Sequence, residues 1–257
     1  MDVSAYLARI GVAPPIHPNA EGLRQLQIAH LMAVPFENLD IGLGRAIVLD
    51  EAAFFDKVVR RRRGGFCYEL NGLFAALLRH LGFRVSLLSA RVARAAGGFG
   101  PEFDHLTLLV EFPGQEPRHL ADVGFGDSFR EPLLFDEPGE QASSPYDNAR
   151  AYQLRRVGDE VALWRLEGDG VWKPQYLFSP VPRRLEEFAA MCRYQQTSPE
   201  SHFTQRRICS RATPAGRITL ADLRLIVTAN GARTEHPLTE DQYRDALLEH
   251  FGIDLEA

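Results

Sequence analysis

Three residues of the sequence have side chains that together suit nucleophilic catalysis: Cys67, His105 and Asp122. A cysteine thiolate attacks acyl carbons, a histidine takes up and returns the proton, and a carboxylate fixes the tautomer of the imidazole. The set therefore predicts acyl transfer through a covalent cysteine intermediate. Each residue alone also has an ordinary structural interpretation, so its neighbours in the sequence matter.

Cys67 follows two glycines in the segment RGGFCYELNG, residues 63–72. The glycines permit a tight turn, and the apolar residues from Leu70 to Leu81 recur with the period of a helix. Cys67 should therefore lie in the first helical turn, facing the interior. Unpaired backbone N–H groups and the positive helix end favour a thiolate there, and they predict a thiol pKa below its ordinary value of about 8.5. The alternative is an inert, buried cysteine.

His105 and Asp122 belong to two apolar segments, HLTLLV and HLADVGFG. Pro113 and Gly114 predict a turn between these segments, and hence an antiparallel hairpin. The two side chains share one face of the hairpin if odd-numbered residues lie opposite even-numbered ones, whereas a slip of one residue separates them. Otherwise His105 is a hydrogen-bonded core histidine and Asp122 is a turn residue.

The rest of the chain supplies the elements that would position these groups. It changes character twice, from helical periodicity to short strands separated by Gly, Pro and Asp, and then to a mixture of both. Helices are predicted over residues 20–32, 49–63, 67–81, 185–196 and 240–251. Strands are predicted over residues 84–92, 105–112, 118–125, 151–157, 161–166, 207–211 and 217–229. The spacing of the central strands favours an antiparallel sheet or barrel.

Composition restricts the protein to a few classes. The 257 residues are 45% hydrophobic and 25% charged, which is typical of globular proteins. A net charge of −5 argues against a nucleic-acid binder. Three cysteines do not make a disulfide framework, so a reducing, cytoplasmic location is expected. We recognise neither a signal peptide nor an apolar run of about 20 residues, and we therefore expect no membrane association.

Five segments resemble motifs of the arylamine N-acetyltransferase family, bacterial type, and they span nearly the whole chain. They are RGGFCYE at 63–69, HLTLLV at 105–110, DVGFG at 122–126, VPFENL at 34–39 and SHFT at 201–204. The order Cys, His, Asp also resembles that of papain-like and transglutaminase-like enzymes. One departure is that Phe66 and Tyr68 stand where many relatives have Tyr and then Phe, a change expected to tune the pocket rather than the chemistry.

The resemblance implies an α+β fold of three domains with a cysteine-protease-like Cys-His-Asp core. The domains are an N-terminal helical bundle (residues 1–83), a central antiparallel β-barrel (84–182) and a C-terminal α/β lid (183–257). The resemblance also implies ping-pong acetyl transfer, in which Cys67 takes acetyl from acetyl-CoA and an arylamine, arylhydrazine or N-hydroxyarylamine removes it. No metal is implied. The protein is expected to be a monomer or weak homodimer without nucleic-acid or membrane partners.

Candidate residues for substrate binding also follow from the resemblance. Those for the acceptor pocket share an aromatic ring, and they are Phe36, Phe66, Phe125 and Phe203. Each is otherwise an ordinary core aromatic. The acyl donor, acetyl-CoA, is expected to pass Gly124, Phe125 and Gly126, where glycine allows close approach to the backbone.

Three other functions would use the same residues. A cysteine hydrolase requires water to outcompete the amine at the acyl-enzyme. A synthase variant would have a bound aryl amine attack an acyl chain and close an amide. A non-enzymatic binding module would hold the three residues in an inactive form, and an unperturbed pKa of the Cys67 thiol would favour it.

Some reactive or charged groups receive no part in this chemistry. The four consecutive arginines at 60–63 are interpreted as a solvated cap on the preceding helix, with phosphate binding as the alternative. Cys192 and Cys209 lack the spacing of metal ligands. The sequence therefore predicts one reaction centre, built around Cys67.

Overall fold

The computed structural model describes residues 1–114, 117–137, 139–142 and 150–255. The helices in these ranges are α1 (Val3–Ile10), α2 (Ala20–Ala33), α3 (Leu39–Gly42), α4 (Glu51–Phe55), α5 (Cys67–His80), α6 (Ala189–Thr197), α7 (His202–Gln205) and α8 (Glu240–Phe251). The strands are β1 (Phe36–Glu37), β2 (Arg84–Val92), β3 (His105–Glu111), β4 (His119–Ala121), β5 (Leu133–Leu134), β6 (Glu140–Ala142), β7 (Ala151–Val157), β8 (Glu160–Leu166), β9 (Trp172–Arg183), β10 (Ile208–Thr213), β11 (Gly216–Ala221), β12 (Arg224–Ala229) and β13 (Ala232–Pro237).

The strands form two antiparallel sheets. Eight of them, in the order β5-β4-β3-β2-β9-β8-β7-β6, make a barrel-like sheet that is nearly closed. The side-chain amide of Gln141 on β6 exchanges hydrogen bonds of 2.6 and 2.8 Å with the backbone of Leu134 on β5, and so bridges the two edges. The other sheet has the order β1-β10-β11-β12-β13, and α8 packs on it.

Helix α5 lies at the centre of the helical core, with every side chain from Cys67 to Leu78 buried. Strand β3 packs against it and separates two hydrophobic cores, because its side chains alternate between faces. Leu106 and Leu108 join the helical core, whereas Leu109 joins the core of the barrel-like sheet. His105 shares the parity of Leu109, so it lies at the boundary between the helices and the barrel-like sheet.

Several predicted elements are confirmed, because their signals are local. Strands 84–92 and 151–157 are β2 and β7, and helix 240–251 is α8. Helix α8 begins at Thr239, whose hydroxyl accepts a hydrogen bond from the backbone of Gln242, and it ends at Gly252 in the left-handed conformation. The sequence also predicts one apolar face of α8, made of Tyr243, Leu247, Leu248 and Phe251, but Leu248 is 58% exposed and Ala246 is buried in its place.

Other predicted boundaries are wrong for identifiable reasons. In place of the single helix predicted over 49–63, the structure has the short helix α4, which ends at Phe55, and then a π-helical turn over Asp56–Arg60. The strand predicted over 217–229 is two strands, because the chain turns at Asp222, whose φ of 50° is left-handed. The strand predicted over 118–125 is the short β4, because the chain leaves the ladder at Asp122.

The division into domains at residues 83 and 182 stays a prediction. Segments on either side of these boundaries pair with one another, since β1 of the N-terminal region lies beside β10 in the C-terminal sheet. Among the described residues, no helix combines the length and apolar character that a membrane crossing requires.

Candidate active site

Cys67 is the first residue of α5, as predicted, and its side chain is buried. The preceding segment passes very close to the chain at Pro35, because a Cβ on Gly64 would lie 2.0 Å from the Pro35 carbonyl oxygen. Gly64 is not in the left-handed region, so this close approach, and not the tight turn that we expected, requires glycine there. The Glu69 carboxylate accepts the Phe66 N–H (3.1 Å) at the start of the helix.

The hairpin that carries His105 and Asp122 has the required register. Strands β3 and β4 pair Leu108 with Ala121 and Leu109 with Leu120, so odd-numbered residues lie opposite even-numbered ones. Asp122 follows β4 directly, and its Oδ2 lies 2.7 Å from Nε2 of His105. Both side chains are buried. The structure therefore brings the predicted base and carboxylate into direct contact.

The Asp122 carboxylate is held by four hydrogen-bond donors. Besides His105 on Oδ2, these are Asn71 Nδ2 (2.8 Å, to Oδ1), the Gly124 backbone N–H (2.9 Å, to Oδ1) and the Tyr176 hydroxyl (3.1 Å, to Oδ2). Burial acts to raise the pKa of Asp122, but the charge of His105 and these hydrogen bonds outweigh it. The pKa of Asp122 consequently lies below its ordinary value, and the group stays ionised.

Two of these donors, Asn71 and Tyr176, were not among the predicted site residues. Asn71 could have been predicted from the sequence, because it lies four residues after Cys67 and so on the same face of α5. Its amide also donates to the Leu106 carbonyl (2.6 Å) and accepts from the Val123 N–H (2.9 Å), which ties the helix to the hairpin. Tyr176 lies on β9, for which no strand was predicted.

Cys67 meets the hairpin through backbone contacts. The backbone N–H of Leu106, the residue after His105, hydrogen-bonds the Cys67 sulfur. A Cβ on Gly124 would lie 2.8 Å from the Cys67 Cα, so glycine is required for the loop after Asp122 to pack against α5. Because His105 directs Nε2 to Asp122, its Nδ1 is the ring nitrogen that the carboxylate leaves unengaged.

The predicted lowering of the Cys67 pKa is wrong for the thiol in these surroundings. Burial raises the pKa of Cys67 well above its ordinary value, and the hydrogen bond from Leu106 only partly opposes this. The half-buried Asp104 and the buried Asp122 carboxylates raise it further. A helix N-terminus is therefore not enough to hold a thiolate here. The thiolate requires an imidazolium beside it to compensate its desolvation.

The predicted aromatic residues lie in two groups. The ring of Phe125 makes an edge contact with His105, with centroids 5.1 Å apart. The ring of Phe203 lies 6.2 Å from that of Phe36 and 5.7 Å from that of Phe66, and Phe66 is fully buried behind it. Their roles in substrate binding stay predictions.

An open cleft begins beside these rings. It is lined by Phe36, Phe125, Gly126, Asp127, Arg150, Ile208, Ser210, Arg217, Thr219, Ile226, Thr228, Gly231 and Arg233. Arg150 and Arg217 both contact the Asp127 carboxylate, at 2.7 and 3.2 Å. Burial opposes ionisation of Asp127, but these cations lower its pKa to about 2. The cleft therefore combines an apolar end next to His105 with a cationic wall.

The run of arginines is not uniformly solvated, as we had interpreted it. Residues 60–62 are exposed, but Arg63 is buried and contacts the Glu37 and Asp40 carboxylates at 2.8 and 3.1 Å. Neither the cap nor the phosphate interpretation therefore applies to Arg63. Across the described ranges, no group of three or more His, Cys, Asp or Glu side chains is placed to hold a metal ion.

Comparisons with known proteins find similar sequences and structures over nearly the whole chain. A family model described as N-acetyltransferase matches residues 19–257. An arylamine N-acetyltransferase of Mycolicibacterium smegmatis is 38% identical, over 99% of this chain and 93% of its own. An arylamine N-acetyltransferase / N-hydroxyarylamine O-acetyltransferase of Salmonella typhimurium is 32% identical over 97% of this chain and 88% of its own. The structure of Mycobacterium marinum arylamine N-acetyltransferase in complex with CoA aligns with a TM-score of 0.89 and 32% identity, over 98% of this chain and 93% of that chain.

Proposed function

Because the chain belongs to the arylamine N-acetyltransferase family and is an acetyl-CoA-dependent acyltransferase, we propose that it transfers acetyl to aromatic amines through Cys67. Arylamines, arylhydrazines and N-hydroxyarylamines are the proposed acceptors. The observation that carries the proposal is the 2.7 Å contact between His105 and Asp122, on a hairpin whose backbone touches the Cys67 sulfur. The reaction is proposed to take place in a reducing cytoplasm.

The proposed reaction has two half-reactions that use the same groups in opposite directions. Cys67 passes its proton to Nδ1 of His105, and the thiolate attacks the thioester carbonyl of acetyl-CoA. The C–S bond to CoA breaks, and the leaving thiolate takes the proton back from His105. The amine then attacks the acetyl carbon of the enzyme thioester and gives its proton to His105 as the N–C bond forms. Cys67 leaves as the thiolate, and the amide departs.

Asp122 makes this proton exchange possible because it stays ionised within its four hydrogen bonds. Its negative charge stabilises the imidazolium, and its contact with Nε2 directs Nδ1 towards the nucleophile. The high pKa of an unpaired Cys67 thiol has a consequence for the resting enzyme. The reactive form is proposed to be the thiolate–imidazolium pair, in which the imidazolium offsets the cost of burying the thiolate.

The cleft beside His105 is the proposed path of acetyl-CoA. Gly126 and Phe125 line its inner end, and Gly124 packs against Cys67, so the thioester would enter there. Arg217 and Arg233 line it farther along, where guanidinium groups suit the phosphates of CoA. Phe36, Phe125 and Phe203 are proposed to hold the acceptor ring, with Phe66 supporting Phe203 from the core.

Intact-protein mass spectrometry tests the proposal in two steps. Incubation with acetyl-CoA alone should add one acetyl group, mapped to Cys67, and an arylamine or arylhydrazine should then remove it as acetylated product. Cys209→Ser is the matched control, because it replaces another buried cysteine and should leave the adduct intact. Release of CoA without an adduct would indicate a hydrolase. No adduct and no release of CoA would contradict the proposed donor.

A further inference from the structure

Helix α2 carries two buried polar side chains, each with one nitrogen that lacks a protein partner. Gln27 and His30 are fully buried and lie one turn apart on the same side of the helix. Nε2 of Gln27 and Nε2 of His30 have no hydrogen-bond partner among the described protein atoms. Burying an unpaired N–H group is costly, so such groups in native proteins are nearly always satisfied.

The other polar atom of each side chain is engaged, and this determines what the unpaired nitrogens offer. Oε1 of Gln27 accepts the backbone N–H of Asp122 (3.2 Å), so its Nε2 is a donor. Nδ1 of His30 lies 2.9 Å from the Tyr6 hydroxyl. Burial lowers the pKa of His30 to about 3, so its ring is neutral. The fully buried Tyr6 hydroxyl has no other acceptor among the described residues, so we assign it as the donor to Nδ1. The proton of His30 is then on Nε2, and both orphan atoms are donors.

We propose that one buried water molecule joins Nε2 of Gln27 to Nε2 of His30, and that Gln27 is thereby a positioning residue for Asp122. A water oxygen accepts two N–H bonds, which is what this pair of donors requires. The water fixes the far end of the Gln27 amide. Its near end then holds the backbone of Asp122 where the carboxylate meets His105. The part played by Asp122 rests on the function proposed above.

The titratable groups around Gln27 and His30 do not change the assignment of both nitrogens as donors. On the Asp122 side, His105 and Tyr176 contact the carboxylate and not the backbone N–H, and Cys67 is the thiol whose pKa the Asp122 charge raises. On the His30 side they are Tyr6 and Arg9. Arg9 donates to backbone carbonyls of other segments and is itself a donor, so it offers no acceptor to either orphan nitrogen.

The substitution Gln27→Met tests the positioning role, because it keeps the length of the side chain and removes both hydrogen bonds. The measurement is the rate of Cys67 alkylation by iodoacetamide against pH, per folded molecule. A displaced Asp122 stabilises the imidazolium less, so the thiolate should form at higher pH. A tenfold loss in the equilibrium constant for forming the thiolate–imidazolium pair shifts the profile by about one pH unit. Gln25→Met, the same change on the exposed side of α2, should leave the profile unchanged.

A high-resolution crystal structure of the unmodified protein tests the water itself. Density within hydrogen-bonding distance of both nitrogens would support the proposal, and a direct contact between Gln27 and His30 would overturn it. An unchanged alkylation profile in Gln27→Met, with only a lower melting temperature, would reject the positioning role. If unmodified Cys67 reacted only at alkaline pH, as an isolated buried thiol does, the proposed function would be contradicted, and the crystal structure would still decide the water.

Discussion

Two groups of buried ionisable side chains flank the first turn of α5, and they balance their charges differently. On one side lie Cys67 and the hairpin that carries His105 and Asp122. On the other, Lys57 lies 2.7, 2.9 and 3.7 Å from the carboxylates of Asp40, Glu69 and Glu37. Arg63 contacts two of the same carboxylates, and the five residues Lys57, Arg63, Glu37, Asp40 and Glu69 are called the lysine cluster below.

The lysine cluster holds two permanent cations among three carboxylates in a fixed arrangement. Burial disfavours the charged form of Lys57, but the three carboxylates around it raise its pKa, so the ammonium persists. Cys67, by contrast, has no permanently charged partner on the described structure, and burial raises the pKa of its thiol. The comparison teaches that ion pairs fix the first turn of α5 from one side, whereas the proposed proton transfer to His105 takes place on the other.

The largest effect is expected from Cys67→Ser, which tests the reactive side. A serine hydroxyl is far less acidic than a thiol, and this His–Asp pair would deprotonate it much less readily, so acetyl transfer should fall below detection. Chromatography of the acetylated arylamine measures the loss, and an unchanged melting temperature shows that the fold persists. Measurable turnover by Cys67→Ser, with Cys209→Ser fully active, would remove Cys67 from the reaction.

The next largest effect is expected from Asp122→Asn. The amide would favour the wrong imidazole tautomer and would not stabilise the imidazolium, so kcat/KM should fall by a factor on the order of 10⁴, as in serine proteases. Steady-state kinetics with acetyl-CoA and an arylamine measure it. Tyr176→Phe is a graded control, because it removes one of the four donors and should cost much less. Near-normal turnover of the Asn variant would show that catalysis does not depend on the contact between His105 and Asp122.

On the other side of α5, Lys57→Met should reduce stability rather than chemistry. It leaves three carboxylates with one cation in a buried site, and breaking such a group typically costs about 3–5 kcal/mol. Urea unfolding measures the loss, and activity per folded molecule should stay near that of the parent. Lys173→Met is the matched control, because its ion pair with Asp169 is exposed and contributes little. Loss of activity without loss of stability would contradict the division between the two groups.

The two sides of α5 also differed in how far the sequence could predict them. Register and turn signals near residues 113–114 were local, so the contact between His105 and Asp122 followed from the parity of the hairpin. Arg63 carried no such signal, because the pattern of one helix does not show which carboxylates from β1 and α3 will meet it. Its burial depends on long-range packing, and it was interpreted as solvated.

Tyr176 shows a second limit, in which local signals pointed the wrong way. Strand β9 contains Pro174, Pro180 and Pro182, and proline cannot donate to a ladder, so no strand was predicted there. The structure accommodates these residues with register shifts on both sides of β9. Asn71 was different, since helical spacing from Cys67 already placed it on the correct face. The direction of the Cys67 pKa shift could not be predicted from the sequence either, because it depends on how deeply the thiol is buried.

The smallest expected effect concerns Glu69, the member of the lysine cluster closest in sequence to Cys67. Burial raises the pKa of Glu69 to about 7 from an ordinary 4.5, despite Lys57. The folded state therefore binds this proton more tightly than the unfolded state, and the associated stability is complete below pH 4.5 and is lost as pH rises to about 7. The loss amounts to about 3 kcal/mol at most. Asp40 and Asp122, whose pKa values are lowered, act below this window.

Glu69→Gln resembles the protonated form of Glu69, so it should remove the fall in stability between pH 4.5 and 7. This fall is called the slope below. Urea unfolding between pH 5 and 8 should show stability falling with pH in the parent and nearly constant in the variant, apart from contributions that both share. Glu186→Gln, at an exposed position, should keep the slope of the parent. A slope that survives in Glu69→Gln would mean that another group of the lysine cluster holds the proton. In that case the lysine cluster would still change its charge near neutral pH, but through a group other than Glu69, and the charge next to Cys67 would have to be assigned anew.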